Sequence, residues 1–428
     1  MPRIRILMPM PYPDVKGPIA RHSRVLIDEL QKLDCEIDTA VWGKRRENES
    51  LFEKIFGRFG DVLKIRKTLT RNRYDILLVK TFHDWFSILR DTALVLLTKG
   101  RSRKTIIQLH GSVSHKFKEP GQWLFKLCNR IILRNSDAIL VLSHEERRDF
   151  LKFQPGANVV VVENPYIEKR TASDETRPEK DSAANILFVG RLIEAKGLFE
   201  LLDAVSLLQK KELNLTLRES SKTQKTILDV IPAQAGIFSP HAPPIDSRLR
   251  GNDVEGVLRD KAHNIRLNVR LTIVGDGPEE ENLRRKAESL GVSSIVNFAG
   301  YCAGEDLMHH YRAADIFVLP SWSEGFPTVI SEAMDFSLPI VTTKIRGMAD
   351  HLVEGENAFF APKKDAEKLA AALEKLVVDP TLRQKMGVAN KEKLPWFAPG
   401  RVAERYLEVV SSITESSTIL RRDLQTEV

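Results

Sequence analysis

A chain of 428 residues with 42% hydrophobic and 29% charged side chains is too long for one ordinary core and too apolar for wholesale disorder or a fibrous repeat. The formal charge of +7 is uneven, because residues 1–170 carry 32 Lys/Arg against 20 Asp/Glu while residues 171–428 carry 33 against 38. The basic residues of the first half are scattered and no recognition motif accompanies them, so nucleic-acid binding is the weakest reading.

No apolar run approaches the roughly 18 to 20 residues needed to span a bilayer, and the amino terminus MPRIRILMPMPYP lacks a small-residue cleavage site, so it reads as a first strand. Three cysteines (Cys35, Cys128, Cys302) without C-x-x-C spacing suit free thiols and offer no zinc site. A cytoplasmic protein is expected.

Ile4 to Met8 is an apolar run followed by a Pro/Gly loop and a stretch of helical period from Ala20 to Leu33. The pattern recurs with strands at Asp75 to Val79, Thr105 to Leu109, Ala138 to Leu142 and Val159 to Val162, and helices at Trp85 to Leu97 and Trp123 to Arg134. A charged linker, Glu168 to Ala184, precedes a second series. It has strands at Ile186 to Val189, Leu271 to Val274, Ile316 to Leu319 and Ile340 to Thr342, and helices at Leu198 to Gln209, Pro278 to Leu290 and Thr328 to Phe336. Strands apolar on both faces that alternate with helices imply parallel sheets covered on both sides. The fold class is α/β with two doubly wound, Rossmann-like domains, 1–170 and 185–385, and a terminal helix over 395–412 that packs back on the first. Ligands of such sheets bind beyond the carboxyl ends of the strands.

Residues from about 213 to 263 break the pattern. VIPAQAGI (Val230 to Ile237) and DSRLRGND (Asp246 to Asp253) can be encoded by complementary strands of one DNA stretch. GTCATTCCCGCGCAGGCGGGAATC reads as the first peptide, and its complement reads as the second. An inverted repeat that landed in frame accounts for this, and it resembles the dispersed repeats found between genes of some bacteria. A helix-to-strand connection tolerates such an insertion, since closure entropy rises by only about 0.6 kcal/mol per doubling of loop length.

Three strand-to-loop junctions carry the chemistry. SWSEGFPTVISE (Ser321 to Glu332) follows a strand, and its Pro327 opens a helix whose first amides, with those of Gly325, Phe326 and Thr328, form an anion site flanked by Glu324 and Glu332. FVGRLIEAKG (Phe188 to Gly197) places Arg191 and Lys196 across one turn, where both can meet a diphosphate. VGDGP (Val274 to Pro278) adds glycines that allow close backbone approach.

Together with VNFAGY and LPIVTTKIRGMADHLVEGENAFF, and in this order, these segments resemble the carboxyl-terminal domain of glycosyltransferase family 4, retaining enzymes of the GT-B fold, over nearly all of residues 185–380 outside the long segment. The resemblance implies that Arg191 and Lys196 hold a donor diphosphate, Glu332 the ribose, and Glu324 the donor sugar, and that Gly300 and Tyr301 lie near the base. The first half resembles the family less closely. There Gly17 stands for part of a glycine-rich loop, with Pro18 in place of another glycine, and His110 ends a strand as the family's active-site histidine does. His83 and Asp84 are acceptor candidates. Ser337 occupies a position where the family usually has glycine or another small residue.

The resemblance implies a metal-independent, retaining hexosyltransferase. It would move a sugar from a nucleotide diphosphate donor to a glycan or lipid-linked acceptor in bacterial surface polysaccharide synthesis, such as lipopolysaccharide or capsule. No cofactor is expected: the sequence has no D-x-D pair for a divalent ion, which leaves the cations and the helix terminus to hold the phosphates. The basic first half, above all Phe52 to Arg73, gives an anionic membrane surface as a further partner, with peripheral attachment. The alternatives are a catalytically inactive binding or scaffold protein and a nucleotide-sugar epimerase on the same fold.

Overall fold

The computed structural model describes residues 3–12, 18–43, 57–169, 183–210, 212–213, 265–322, 324 and 326–423. The first half contains β1 (Arg5–Met10), α1 (Pro18–Lys32), β2 (Glu36–Val41), α2 (Arg58–Arg71), β3 (Ile76–Phe82), α3 (Trp85–Thr98), β4 (Lys104–His110), α4 (Trp123–Asn135), β5 (Ala138–Val141), α5 (His144–Phe153) and β6 (Val159–Val161). Its six strands form one parallel sheet in the order β2-β1-β3-β4-β5-β6. Alternate residues of β3 and β4 enter two cores: Leu77, Val79 and Ile107 pack with α2 to α4, whereas Ile76, Leu78 and Ile106 pack with α1.

The second half contains β7 (Ala184–Val189), α6 (Leu198–Lys210), β8 (Glu212–Leu213), β9 (Ile265–Arg266), β10 (Val269–Val274), α7 (Glu280–Leu290), β11 (Val296–Gly300), α8 (Glu305–Ala313), β12 (Ile316–Leu319) and α9 (Thr328–Asp335). It continues through β13 (Ile340–Thr343), α10 (Met348–His351), β14 (Ala358–Ala361), α11 (Ala366–Val378), α12 (Pro380–Lys393) and α13 (Pro399–Asp423). Six strands again lie parallel, in the order β11-β10-β7-β12-β13-β14. Asp379 caps α12 by accepting from the Leu382 amide at 2.8 Å, with Pro380 in the first turn where its missing amide hydrogen costs nothing. Helix α13 returns to the first domain and places Val402, Ala403, Tyr406, Val409 and Val410 in the core shared with Leu26 and Leu30 of α1.

The strand β2 escapes the apolar-run reading because EIDTAV is an edge strand that is half exposed and carries two acids. Likewise α5 (HEERRDFLKF) shows few apolar residues, yet Ser143 caps it and Phe150 anchors it. The repeat-bearing insertion falls outside the described residues, apart from the ends of the excursion. There Glu212 pairs with Arg266 and Leu213 with Ile265 in an antiparallel ladder of two residues.

Candidate active site

In the second sheet β10 lies on one side of β7 and β12 on the other, so the loops after β7 and β12 flank the point where strand order reverses. These loops are stacked closely. The Trp322 amide donates to the Ala195 carbonyl at 2.8 Å, and a Cβ at Gly197, whose φ is +71°, would run into the Pro320 carbonyl. Similarly, Gly275 (φ +139°) leaves no room for a Cβ beside the Gly190 carbonyl. The glycines of FVGRLIEAKG and VGDGP thus bring three loops together.

Lys196, at the end of a short 3₁₀ turn, forms an ion pair with Glu324, and each side chain is about one-sixth exposed (17% and 18%). Arg191 is exposed on the same loop. Glu332 is buried in α9, where the Tyr311 hydroxyl donates to its Oε2 at 2.8 Å and the Lys169 ammonium pairs with Oε1. Burial, with the Glu332 carboxylate next to it, pushes the Tyr311 phenol well above its ordinary range. One turn further, Asp335 accepts from the Tyr166 hydroxyl (3.0 Å), the Lys169 amide (2.6 Å) and the Lys391 ammonium (2.8 Å). Pro327 is the N-cap of α9 and Thr328 its first residue, so the first-turn amides of α9 lack intrahelical acceptors. The Phe326 side chain, by contrast, is core: it is 7% exposed and stacks on Phe397 with ring centroids 4.8 Å apart. Tyr301 is 72% exposed beyond the end of β11, next to Gly300, whose carbonyl accepts from the Gly275 amide at 2.8 Å. Gly325 and Gly17 lie outside the described residues.

On the opposite side, His110 is the last residue of β4, buried, with Nε2 lacking a partner among the described residues. Burial, then the neighbouring charge of Lys80, holds its imidazolium form well below the ordinary range. His83 and Asp84, the acceptor candidates, are both engaged within the first domain. His83 is buried, its Nδ1 accepts from the Val113 amide at 3.1 Å, and its Nε2 meets Asn129 Oδ1 at 2.8 Å. Phe117, Phe125 and Phe150 enclose the ring, and burial lowers its pKa to about 4. Its task is to fix the loop after β4. Asp84 caps α3, accepting from the Ser87 amide and hydroxyl, each at 3.0 Å.

Several residues of the site carry no motif. Arg346, in the loop after β13, reaches the Ser112 carbonyl and lies 3.5 Å from the buried Glu146, while its amide donates to Glu145 at 3.1 Å. It therefore ties the second domain to the loop that follows His110. Tyr311 and Lys169 hold Glu332 from a distant helix and from the interdomain segment. Lys80 does carry a sequence signal, a lysine at the end of the apolar run of a buried strand.

The family profile described as Glycosyltransferase Family 4 matches residues 19–169, and that described as Glycosyl transferases group 1 matches residues 257–393. The lipopolysaccharide core biosynthesis glycosyltransferase LpsE of Rhizobium meliloti is 34% identical over 145 residues, which is 34% of this chain and 42% of that protein. An uncharacterized glycosyltransferase of Haemophilus influenzae is 38% identical over 29% of this chain and 34% of its own length. The chain thus matches less than half the length of these two relatives. A D-inositol 3-phosphate glycosyltransferase of Corynebacterium diphtheriae is 24% identical over 78% of this chain and 69% of that protein. Among solved structures, HepE of Anabaena in complex with UDP superposes with a TM-score of 0.62 at 15% identity, covering 96% of this chain and all of that one. The lipopolysaccharide outer core galactosyltransferase WaaB gives 0.64 at 16% identity, covering 95% and 99%. These likenesses establish the two-domain GT-B fold.

Proposed function

Because the chain belongs to glycosyltransferase family 4, we propose that it transfers a sugar from a nucleotide diphosphate donor to a glycan or lipid-linked acceptor in surface polysaccharide synthesis, with retention of configuration. The observation that carries this reading is the grouping, at the reversal point of the second sheet, of Arg191, the Lys196–Glu324 pair and the start of α9 with buried Glu332 behind it. An incoming diphosphate would take Lys196 from Glu324 and free that carboxylate for donor-sugar hydroxyls, while Glu332 would accept from the ribose. As the bond from the sugar to the β-phosphate breaks, the cations and the α9 terminus would stabilise the departing oxygen, without a divalent ion. That oxygen takes the proton of the acceptor hydroxyl, which attacks from the same face.

An anionic membrane surface would be met by α2, α3 and α4. The five residues 52–56 lie outside the described part, and Val62, Ile65 and Leu69 of α2 face the core. However, α3 packs between α2 and α4, and these helices expose Phe59, Leu63, Phe86, Leu89, Trp123 and Leu127 as well as Lys64, Lys67, Arg71, Arg130 and Arg134. Exposed apolar side chains and cations on the same packed helices would suit an anionic lipid surface. Among the described residues no helix is long and apolar enough to cross a membrane.

A panel of uridine and guanosine diphosphate sugars, scored for hydrolysis and transfer, tests the activity. Arg191→Ala and Lys196→Ala should each lose roughly tenfold or more in kcat/KM, the consequence of removing a charge-assisted contact. Unchanged kinetics in folded variants, or activity abolished by EDTA and restored by magnesium, would overturn the reading. Co-sedimentation with anionic but not neutral liposomes tests the surface.

A further inference from the structure

Three nitrogen bases are enclosed together between the first sheet and α13, and the donor chemistry above uses none of them. Lys80 stands opposite Gln108, and Phe82 opposite His110, in the parallel register of β3 and β4, so Lys80, Gln108 and His110 share one face. From α1, His22 stacks on His110 with ring centroids 6.5 Å apart. From α13, the Tyr406 hydroxyl bonds to Gln108 and its ring lies 5.5 Å from Lys80 Nζ. His22, Lys80 and His110 are 3%, 2% and 5% exposed, and among the described residues Lys80 Nζ, His22 Nδ1 and His110 Nε2 have no hydrogen-bond partner.

Among the described residues the surroundings supply no counter-charge of their own. Gln108 lies beside Lys80 on β4, Arg21 adds a second cation from α1, and Asn164 approaches His22 from the segment after β6. Behind Tyr406, Glu163 is already engaged by Arg405 and by Trp396 Nε1 at 3.1 Å. A buried ammonium without an anion opposes folding, so its presence calls for a role.

We infer that Lys80 is a positioning residue for His110: its ammonium, shut in with both histidines, adds to burial in keeping their rings uncharged, so that His110 meets the cleft as a neutral imidazole able to hydrogen-bond a sugar hydroxyl. This rests on the reading of His110 as part of the active site. The order of proton uptake agrees with it. Burial brings Lys80 down to about 7 and His22 to about 3, with His110 also depressed. As pH falls through neutrality the proton goes to Lys80, and its charge then opposes a second one on either ring.

The test is histidine-ring NMR of the full-length protein from pH 5 to 9, with His22→Gln and His110→Gln giving the assignments, beside the pH profile of kcat/KM with the donor found in the panel. In the unsubstituted protein neither ring should titrate above pH 5. In Lys80→Met at least one ring should titrate about one pH unit or more higher, and kcat/KM should gain an acidic limb. Lys80→Gln serves if the methionine variant does not fold. Titration of His110 near 6.5 in the unsubstituted protein would overturn the inference, as would unmoved ring titrations in a folded Lys80 variant. Unchanged kcat/KM in His110→Gln would instead refute the active-site role of His110, whatever the NMR shows of its coupling to Lys80.

Discussion

Replacing Lys80 by methionine, which keeps the length of the stem and removes the charge, should stabilise the protein. The side chain is 2% exposed, its Nζ has no partner among the described residues, and burial lowers its pKa from the ordinary 10.5 to about 7. At about 1.36 kcal/mol per pH unit, the folded state gives up on the order of 5 kcal/mol by holding this ammonium. The sign follows from proton counts. Between pH 7 and 10.5 the unfolded chain keeps the proton that the native state has released, so the stability of the unsubstituted protein rises with pH across that window. Below pH 7 both states are protonated and the full penalty applies. Urea unfolding at pH 6, 7, 8.5 and 10 should therefore show Lys80→Met ahead by several kcal/mol at the two lower values, with the lead shrinking toward pH 10. Equal stability of the two proteins at every pH would refute the reasoning, because it would mean that the ammonium has a compensating partner.

Ser337 holds φ at +54°, a left-handed conformation, so Ser337→Gly should raise stability by about 1 kcal/mol, read as a higher Tm. Tyr311→Phe leaves Glu332 with Lys169 as its one side-chain donor among the described residues and should raise KM for the nucleotide sugar several-fold with kcat nearly unchanged; equal loss in both would place Tyr311 in the chemical step. Replacing residues 214–264 by a short Gly/Ser linker should leave folding and transfer within a few-fold of the full chain. A trimmed protein that folds but is inactive would show that the segment has acquired a role.

The alternation of strands and helices was legible because strands buried on both faces read as plain apolar runs. Arg191, Lys196 and Glu332 could be located because the carboxyl-edge rule for such sheets turns a strand end into a candidate site. The two histidine-bearing strand ends, however, look alike in sequence. Only the fold reveals that Asn129, Ser112 and three phenylalanines claim His83, while His110 keeps a free nitrogen. Ser337 looks harmless by size, and its cost lies in a backbone angle. Arg346 and Tyr311 are invisible to motif reading because each acts on a loop or carboxylate contributed from elsewhere in the chain.

The two-residue ladder of β8 and β9 gives the second domain a port. Paired positions of an antiparallel ladder lie about 5 Å apart, so chain that departs after Leu213 and rejoins at Ile265 does so through a single doorway. Whatever passes through it leaves the register of β10 against β7 undisturbed. A reporter or affinity domain with adjacent termini could be seated there, at the amino edge of the sheet, to follow the protein at work without touching the loops that hold Arg191 and Glu324.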